Sequence, residues 1–329
     1  VTQRVDPGWP VQSRQHWIDA LRGAAVLLVA LWHAFEIPHA EMPAGVEWVF
    51  NVLSVYRVPM LMFLSGLLLD HSLRKRTGMY VGGKLRAIAW PLVVWSAILL
   101  LVGWPADAAN PWFWLGDAAH LWYLGVLLAC YAIGLLVRWV HPIVIFAAGF
   151  IAMELIHTDI AFVNNTLWFG LYFFAGAAAS RWLDRWFRVR WFVPGAALIA
   201  ASAWAVYSAT VNGYVPIAHW RPLVLSLLGV AAVVWFAGRM PRVRWLEWVG
   251  ERSIVFYVAH VPLIFLTVRL IGETFPAPLM FAVVIAVMLS GCYLLARYLS
   301  GSVLFVFPPI RARRRPEPYT DEKVRATER

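Results

Sequence analysis

A polytopic, all-α bundle of transmembrane helices is the fold class this sequence predicts, on three observations. The 329 residues are 61% hydrophobic and only 14% charged, with a mean hydropathy of +0.67, whereas soluble domains run nearer half apolar and a quarter charged. Charge-free windows recur along the chain, each near or above the length that carries a helix across the hydrocarbon core. The basic residues alternate between successive connections, the pattern that orients a multi-span protein.

Taken in order, the expected spans are 17–35, 46–69, 87–106, 118–137, 142–156, 160–180, 191–218, 222–238, 253–268 and 274–296. Ten spans of roughly 20 residues leave room for loops and tails but for no soluble catalytic domain, so any chemistry is expected inside the bundle. The organisation that follows is one membrane domain over 1–309 and a basic cytoplasmic tail over 310–329, which is Pro-containing, charge-dense and expected to be disordered. The N-terminus lacks a short apolar core ending in a small-residue cleavage site, so the first span is expected to be a retained anchor.

Of the 28 Lys and Arg, 25 precede or enter span one or fall in and around the connections after spans two, four, six, eight and ten; the others are Arg57, Arg221 and Arg269. The positive-inside rule then puts both termini in the cytoplasm. The opposite loops carry acids such as Glu41, Asp107 and Asp159. The net charge of +10 reads as topology and attraction to anionic lipid heads, with no nucleic acid as partner. Many of the 20 tryptophans sit near span ends, as an interfacial aromatic belt requires. Cys130 and Cys292 both lie within apolar runs and read as small packing residues. The sequence offers no pattern for a metal site, and no period or Gly-rich phosphate loop is evident.

Ionisable residues within spans cost about 3 kcal/mol each on insertion scales, so each one asks for a partner or a function. Span one places Asp19 and Arg22 at its cytoplasmic end and His33 and Glu36 toward the exterior. Both pairs are spaced i, i+3 and share a helix face. Eleven residues separate Arg22 from His33, about three helical turns and roughly 16 Å, so both lie on one stripe. A long polyanionic ligand fits along it with its phosphates at Arg22 and its reactive end at His33. His33 beside Glu36 is the arrangement of a general base with an adjacent carboxylate; the bland alternative is an interfacial Asp/Arg pair and an interior histidine.

Span two carries Arg57 near its centre, with Pro59 expected to kink the helix and Ser65-Gly66 expected to allow close packing. Arg57 either pairs with an acid such as Glu154 of span five or contacts substrate. Span four opens with His120, Trp122 and Tyr123, which read as interfacial anchors or as the lip of an acceptor site. Span nine holds Tyr257 and His260 at mid-depth, where a packed, hydrogen-bonded histidine is the simpler reading.

These motifs together resemble the acyltransferase type 3 family of bacterial integral-membrane O-acyltransferases, over nearly the whole chain. Asp19-x-x-Arg22-Gly23, with His33 eleven residues after Arg22, is similar to the family's first-helix motif. Arg57-x-Pro59-Met60 running into Phe63-Leu64-Ser65-Gly66 is similar to its second helix. Lys84-Leu85-Arg86 before Pro91, His120-Leu121-Trp122-Tyr123-Leu124, and Ser253 through His260-Val261-Pro262 resemble its third, fourth and ninth. The chain departs from the pattern in lacking the doubled arginine that often precedes the third-helix proline, and it resembles a stand-alone member without a fused esterase-like domain.

The resemblance implies transfer of an acyl group, most often acetyl, from cytoplasmic acyl-CoA to a hydroxyl of an envelope glycan, lipid-linked sugar or small metabolite. It implies a location in the bacterial inner membrane, acyl-CoA as co-substrate and no permanently bound cofactor. In that scheme Arg14, Arg22, Lys84 and Arg86 hold the CoA phosphates, His33 deprotonates the acceptor, and Glu36 orients the imidazole. Arg57 stabilises the oxyanion, and His120, Trp122 and Tyr123 meet the acceptor. Direct transfer and an acyl-histidine intermediate both remain open. The rivals are a transporter or flippase for a lipid-linked glycan, for which no pair of matching halves is visible, and a structural or sensory subunit, which leaves the intramembrane charges without a purpose.

Overall fold

The computed structural model describes residues 16–38, 41–117, 119–215, 220–271 and 275–307, and these are helical with no strand among them. The basic tail expected over 310–329 and Arg14 lie outside the described residues. Helices stand at all ten expected spans. The first is α1, His16–Glu36.

The second span is divided into α2, Ala44–Leu53, and α3, Arg57–Leu67. The cause is Pro59, which has no N–H to give the carbonyl four residues back and whose ring displaces it. That carbonyl belongs to Val55, and the Ser226 hydroxyl donates to it at 2.8 Å. The break leaves Arg57 as the first residue of α3.

A short helix α4, Leu69–Leu73, leads to the third span, formed by α5, Thr77–Lys84, a π-helical turn over Leu85–Ala89, and α6, Trp90–Leu101. The π turn again precedes a proline, Pro91, that cannot donate to the preceding turn. A second π-helical turn, Phe113–Asp117, and a 3-10 turn, Ala119–Leu121, precede α7, Trp122–Leu136. Then follow α8, Pro142–Leu155, α9, Ala161–Ala179, and the short α10, Leu183–Phe187. The remainder is α11, Phe192–Asn212, α12, Trp220–Ala237, α13, Arg244–Glu251, α14, Ser253–Ile271, and α15, Ala277–Tyr298.

Among the described residues, eight helices are long and apolar enough to cross a membrane, two fewer than the ten spans expected. At 14 residues α8 extends about 21 Å, short of a hydrocarbon core of about 30 Å. The other exception, α9, has the length, but Asn164, Asn165 and Thr166 lower its apolarity. The two pack on each other as neighbours.

Two close crossings organise the bundle. The carbonyl of Phe173 on α9 occupies the space a Cβ at Gly66 would need, and that of Phe63 on α3 does the same at Gly176. On the other side, Gly23 of α1 and Gly250 of α13 meet through the carbonyls of Leu246 and Asp19. Helix α1 is surrounded by α3, α12, α13, α14 and α15 and is therefore the axis of the molecule.

The basic connections converge at one end. Arg181 pairs with Asp70 at 3.2 Å, His16 reaches Glu247 at 3.1 Å, Arg239 donates to the Phe187 carbonyl, and Arg86 donates to the Phe307 carbonyl at 3.1 Å. The opposite end is tied by Trp48 to Thr210, Asn51 to the Gly213 carbonyl and Arg269 to the Val102 carbonyl. Both cysteines are buried and unlinked.

Candidate active site

Two cavities flank α1. The outer one has a volume of about 320 Å³; α1 supplies Val29, Trp32, His33 and Glu36, and the break in span two supplies Arg57. Aromatic side chains make much of its wall: Trp122, Trp168, Phe169, Tyr172 and Trp204. The inner one, about 160 Å³, is bounded by Arg22, Val26, Ser65, Tyr123, Ser253 and Tyr257 among others. Val26 faces one cavity and Val29 the other, so about one helical turn separates the two linings.

Between the cavities lies a cluster of three histidines. The ring centroids are 5.1 Å apart for His33 and His260, 4.6 Å for His120 and His260, and 6.3 Å for His33 and His120. Their protonation pattern follows from their partners. His33 Nδ1 is 2.8 Å from the Val29 carbonyl and His260 Nδ1 is 3.0 Å from the Phe256 carbonyl. A carbonyl can only accept, so both Nδ1 atoms carry hydrogen. In neutral His260 the Nε2 lone pair is thus free, and it faces His33 Nδ1 at 3.3 Å. His33 is left with its own Nε2 lone pair, 3.8 Å from a Glu36 carboxylate oxygen. The sequence reading had Glu36 orienting the imidazole. In the structure Val29 and His260 hold the far nitrogen, while Glu36 faces the nitrogen that would receive a proton.

Arg57 lies over the Trp32 ring, 4.8 Å from its centroid. The acid that shares its cavity is Glu36. Glu154, the partner suggested by the sequence, is exposed near the end of α8 and does not line the cavity.

The three residues expected to form an acceptor lip point to three places. Only Trp122 lines the outer cavity, its ring tilted against Phe169 with centroids 4.8 Å apart. Tyr123 is buried on the inner cavity. His120 is buried in the histidine cluster, with no described group in hydrogen-bond geometry to either ring nitrogen. The reason is the turn that precedes α7. Ala119 takes a left-handed φ of 48°, a strained setting for a residue with a Cβ. The buried Tyr257 hydroxyl clamps that turn by donating to the His120 carbonyl.

The residues expected to bind the donor also separate. Arg22 lines the inner cavity and pairs with Asp19 at 3.6 Å, as its spacing suggested. Lys84 stands 3.4 Å over the Tyr131 ring and does not line the inner cavity. Arg86 is instead engaged with the Phe307 backbone, so the structure does not bring it to the inner cavity. Among the described residues, no set of three His, Cys, Asp or Glu side chains is placed to hold a metal ion.

Sequence reasoning missed Trp32, Trp168, Tyr172 and Trp204. Tryptophans in this chain are numerous enough that belt and cavity residues carry no distinguishing signal. One mark could have flagged Trp32: it lies four residues before Glu36 on the face already singled out.

Ionisable side chains gathered beside two cavities in a bundle of apolar helices suit chemistry carried out within the bundle. A family model described as an acyltransferase domain matches residues 15–297, and the chain belongs to the acyltransferase type 3 family. It is an acyltransferase, a membrane O-acyltransferase in general class. Neither the comparison with curated proteins nor that with solved structures returned a match.

Proposed function

We propose that this protein transfers a short acyl group, acetyl foremost, from cytoplasmic acyl-CoA to a hydroxyl of an envelope glycan, lipid-linked sugar or small metabolite, within the bacterial inner membrane. The observation that carries this reading is the pair of cavities on one face of α1, Arg22 at the inner one and His33 at the outer one. The convergence of the basic connections at the Arg22 end supports a cytoplasmic donor.

In this scheme a phosphate of CoA pairs with Arg22, and the pantetheine arm runs along α1 past Val26 and Val29. The acceptor enters the outer cavity against Trp122 and Trp204. His33 Nε2 takes the hydroxyl proton as the oxygen attacks the thioester carbonyl. Glu36 meets the imidazolium that forms, and Arg57 faces the tetrahedral oxyanion. Collapse breaks the C–S bond and releases CoA thiolate, which takes up the acceptor's proton from His33. The products are the acyl ester and CoA-SH.

The test is thiol release from acetyl-CoA in vesicles of defined orientation, with and without hydroxylated acceptors. Acceptor-stimulated release is expected when acetyl-CoA is supplied to the face bearing Arg22. Release only from the other face would reverse the sidedness. No release with any acyl-CoA, together with movement of a glycan across the membrane, would favour a transporter.

A further inference from the structure

We infer that His260 is a positioning residue for the transfer reaction, acting through His33; the inference rests on His33 being the general base. The geometry is a histidine pair in which one neutral ring does for the other what a carboxylate does in a catalytic triad. Phe256 supplies the carbonyl that fixes His260 as the Nδ1–H form, so its Nε2 can only accept. That lone pair meets the His33 Nδ1–H at 3.3 Å. Together with the Val29 carbonyl it keeps hydrogen off His33 Nε2, the nitrogen that faces Glu36 of the outer cavity's lining.

Two features set His260 in place. It is fully buried on α14 two residues before Pro262, which lacks the N–H that would bond the Val258 carbonyl. Its other neighbours are aromatic: His120 at 4.6 Å and Tyr257 at 5.9 Å between ring centroids. The groups facing His33 from the surrounding elements are Glu36 on its own helix, Arg57 on α3, His120 before α7 and His260 on α14. Of these, His260 alone is in hydrogen-bond contact with Nδ1.

A neutral partner has a chemical consequence. When Nε2 takes the acceptor's proton, the positive charge of His33 is shared through an N–H···N bond, and no buried carboxylate holds it there. The same proton is then available to the departing CoA thiolate. No net proton is gained or lost in the step.

The experiment compares four purified, folded proteins: wild type, His260→Ala, His260→Gln and His33→Ala, each assayed for acetyl-CoA KM, acceptor KM and kcat. His260→Ala is expected to lower kcat by roughly 10-fold or more with both KM values near wild type. His260→Gln, whose amide oxygen accepts the same N–H, is expected to recover most of that loss. Full kcat in His260→Ala, or equal losses in the Ala and Gln variants, overturns the inference while leaving His33 as the base. A raised acetyl-CoA KM in His260→Ala also overturns it, assigning the residue to donor binding. Full activity in His33→Ala instead removes the base itself, and the proposed mechanism fails with it.

Discussion

The outer and inner cavities lie along one helix yet commit their charges differently. At the inner one, Arg22 pairs with Asp19 and shares the lining with Ser65, Ser253 and two tyrosines. At the outer one, His33, Glu36 and Arg57 converge on a larger space walled by indole and phenyl rings. The first can hold an anionic group without moving a proton. The second can hold a polar, ring-bearing molecule and exchange a proton with it. Under the proposed function this difference assigns binding energy and chemistry to opposite ends of α1, so substitutions at the two ends should divide cleanly between KM and kcat.

The largest test of that division is His33→Ala. Transfer should fall by roughly 10²-fold or more, the usual contribution of a positioned general base, while acyl-CoA binding measured by calorimetry stays near wild type. Lost binding together with lost transfer would erase the distinction between the ends.

Next in size is Arg22→Ala. Removing a charged phosphate contact should raise the acetyl-CoA KM by about 10-fold and leave kcat at saturating donor within about 2-fold. This variant removes the Arg22–Asp19 ion pair, so Arg22→Lys serves as the control that keeps it. A fall in kcat in both would place the reacting carbonyl closer to the inner cavity than α1 implies.

A smaller effect is expected at Trp122, where a stacking face is lost and no charge is altered. Trp122→Ala should raise the acceptor KM by about 3- to 10-fold, the worth of one aromatic contact, with acetyl-CoA KM unchanged. If both KM values rise together, the ring supports the bundle through Phe169 and has no separate hold on the acceptor.

How much of this was legible in the sequence follows the same division. Helical periodicity is local, so the stripe joining Arg22 to His33 and the i, i+3 pairs with Asp19 and Glu36 were readable from spacing alone. Hydropathy located every long helix, but it counted α8 as a span because length along the axis, not apolarity, disqualifies it. The break at Arg57 was half visible: Pro59 announced a kink, while the Ser226 hydroxyl that donates to the freed Val55 carbonyl lies 171 residues further along the chain from Val55. His120 was misplaced for a similar reason. Its position near a span end suggested the surface, and only the left-handed Ala119 and the distant Tyr257 clamp turn it inward. The meeting of His33 with His260 spans 227 residues and has no local signature at all.

The smallest expected effect concerns the clasp beneath the inner end, and it separates support of α1 from participation in binding. Glu247 on α13 is buried by contact area and accepts from Arg242 at 2.8 and 3.3 Å, with His16 of α1 3.1 Å away. The Arg242 hydrogen bonds, with its charge and that of His16 adding, hold the Glu247 carboxyl below the usual carboxylate range. A folded-state value lowered in this way contributes stability that is complete above the unfolded carboxylate range, about pH 4.3, and is lost as pH falls through the folded value. The partner Arg242 is solvent-exposed, so the contribution is that of a screened surface pair. Glu247→Gln should therefore melt about 1–2 °C below wild type at pH 7, and the gap should close as the pH is lowered beneath the carboxylate range. Its acetyl-CoA KM and kcat should match wild type, because Gly23 and Gly250 keep α1 and α13 in contact without the charge. A gap that persists at acid pH would mean that Glu247 acts through packing, and a raised acetyl-CoA KM would extend the donor site from Arg22 down to α13.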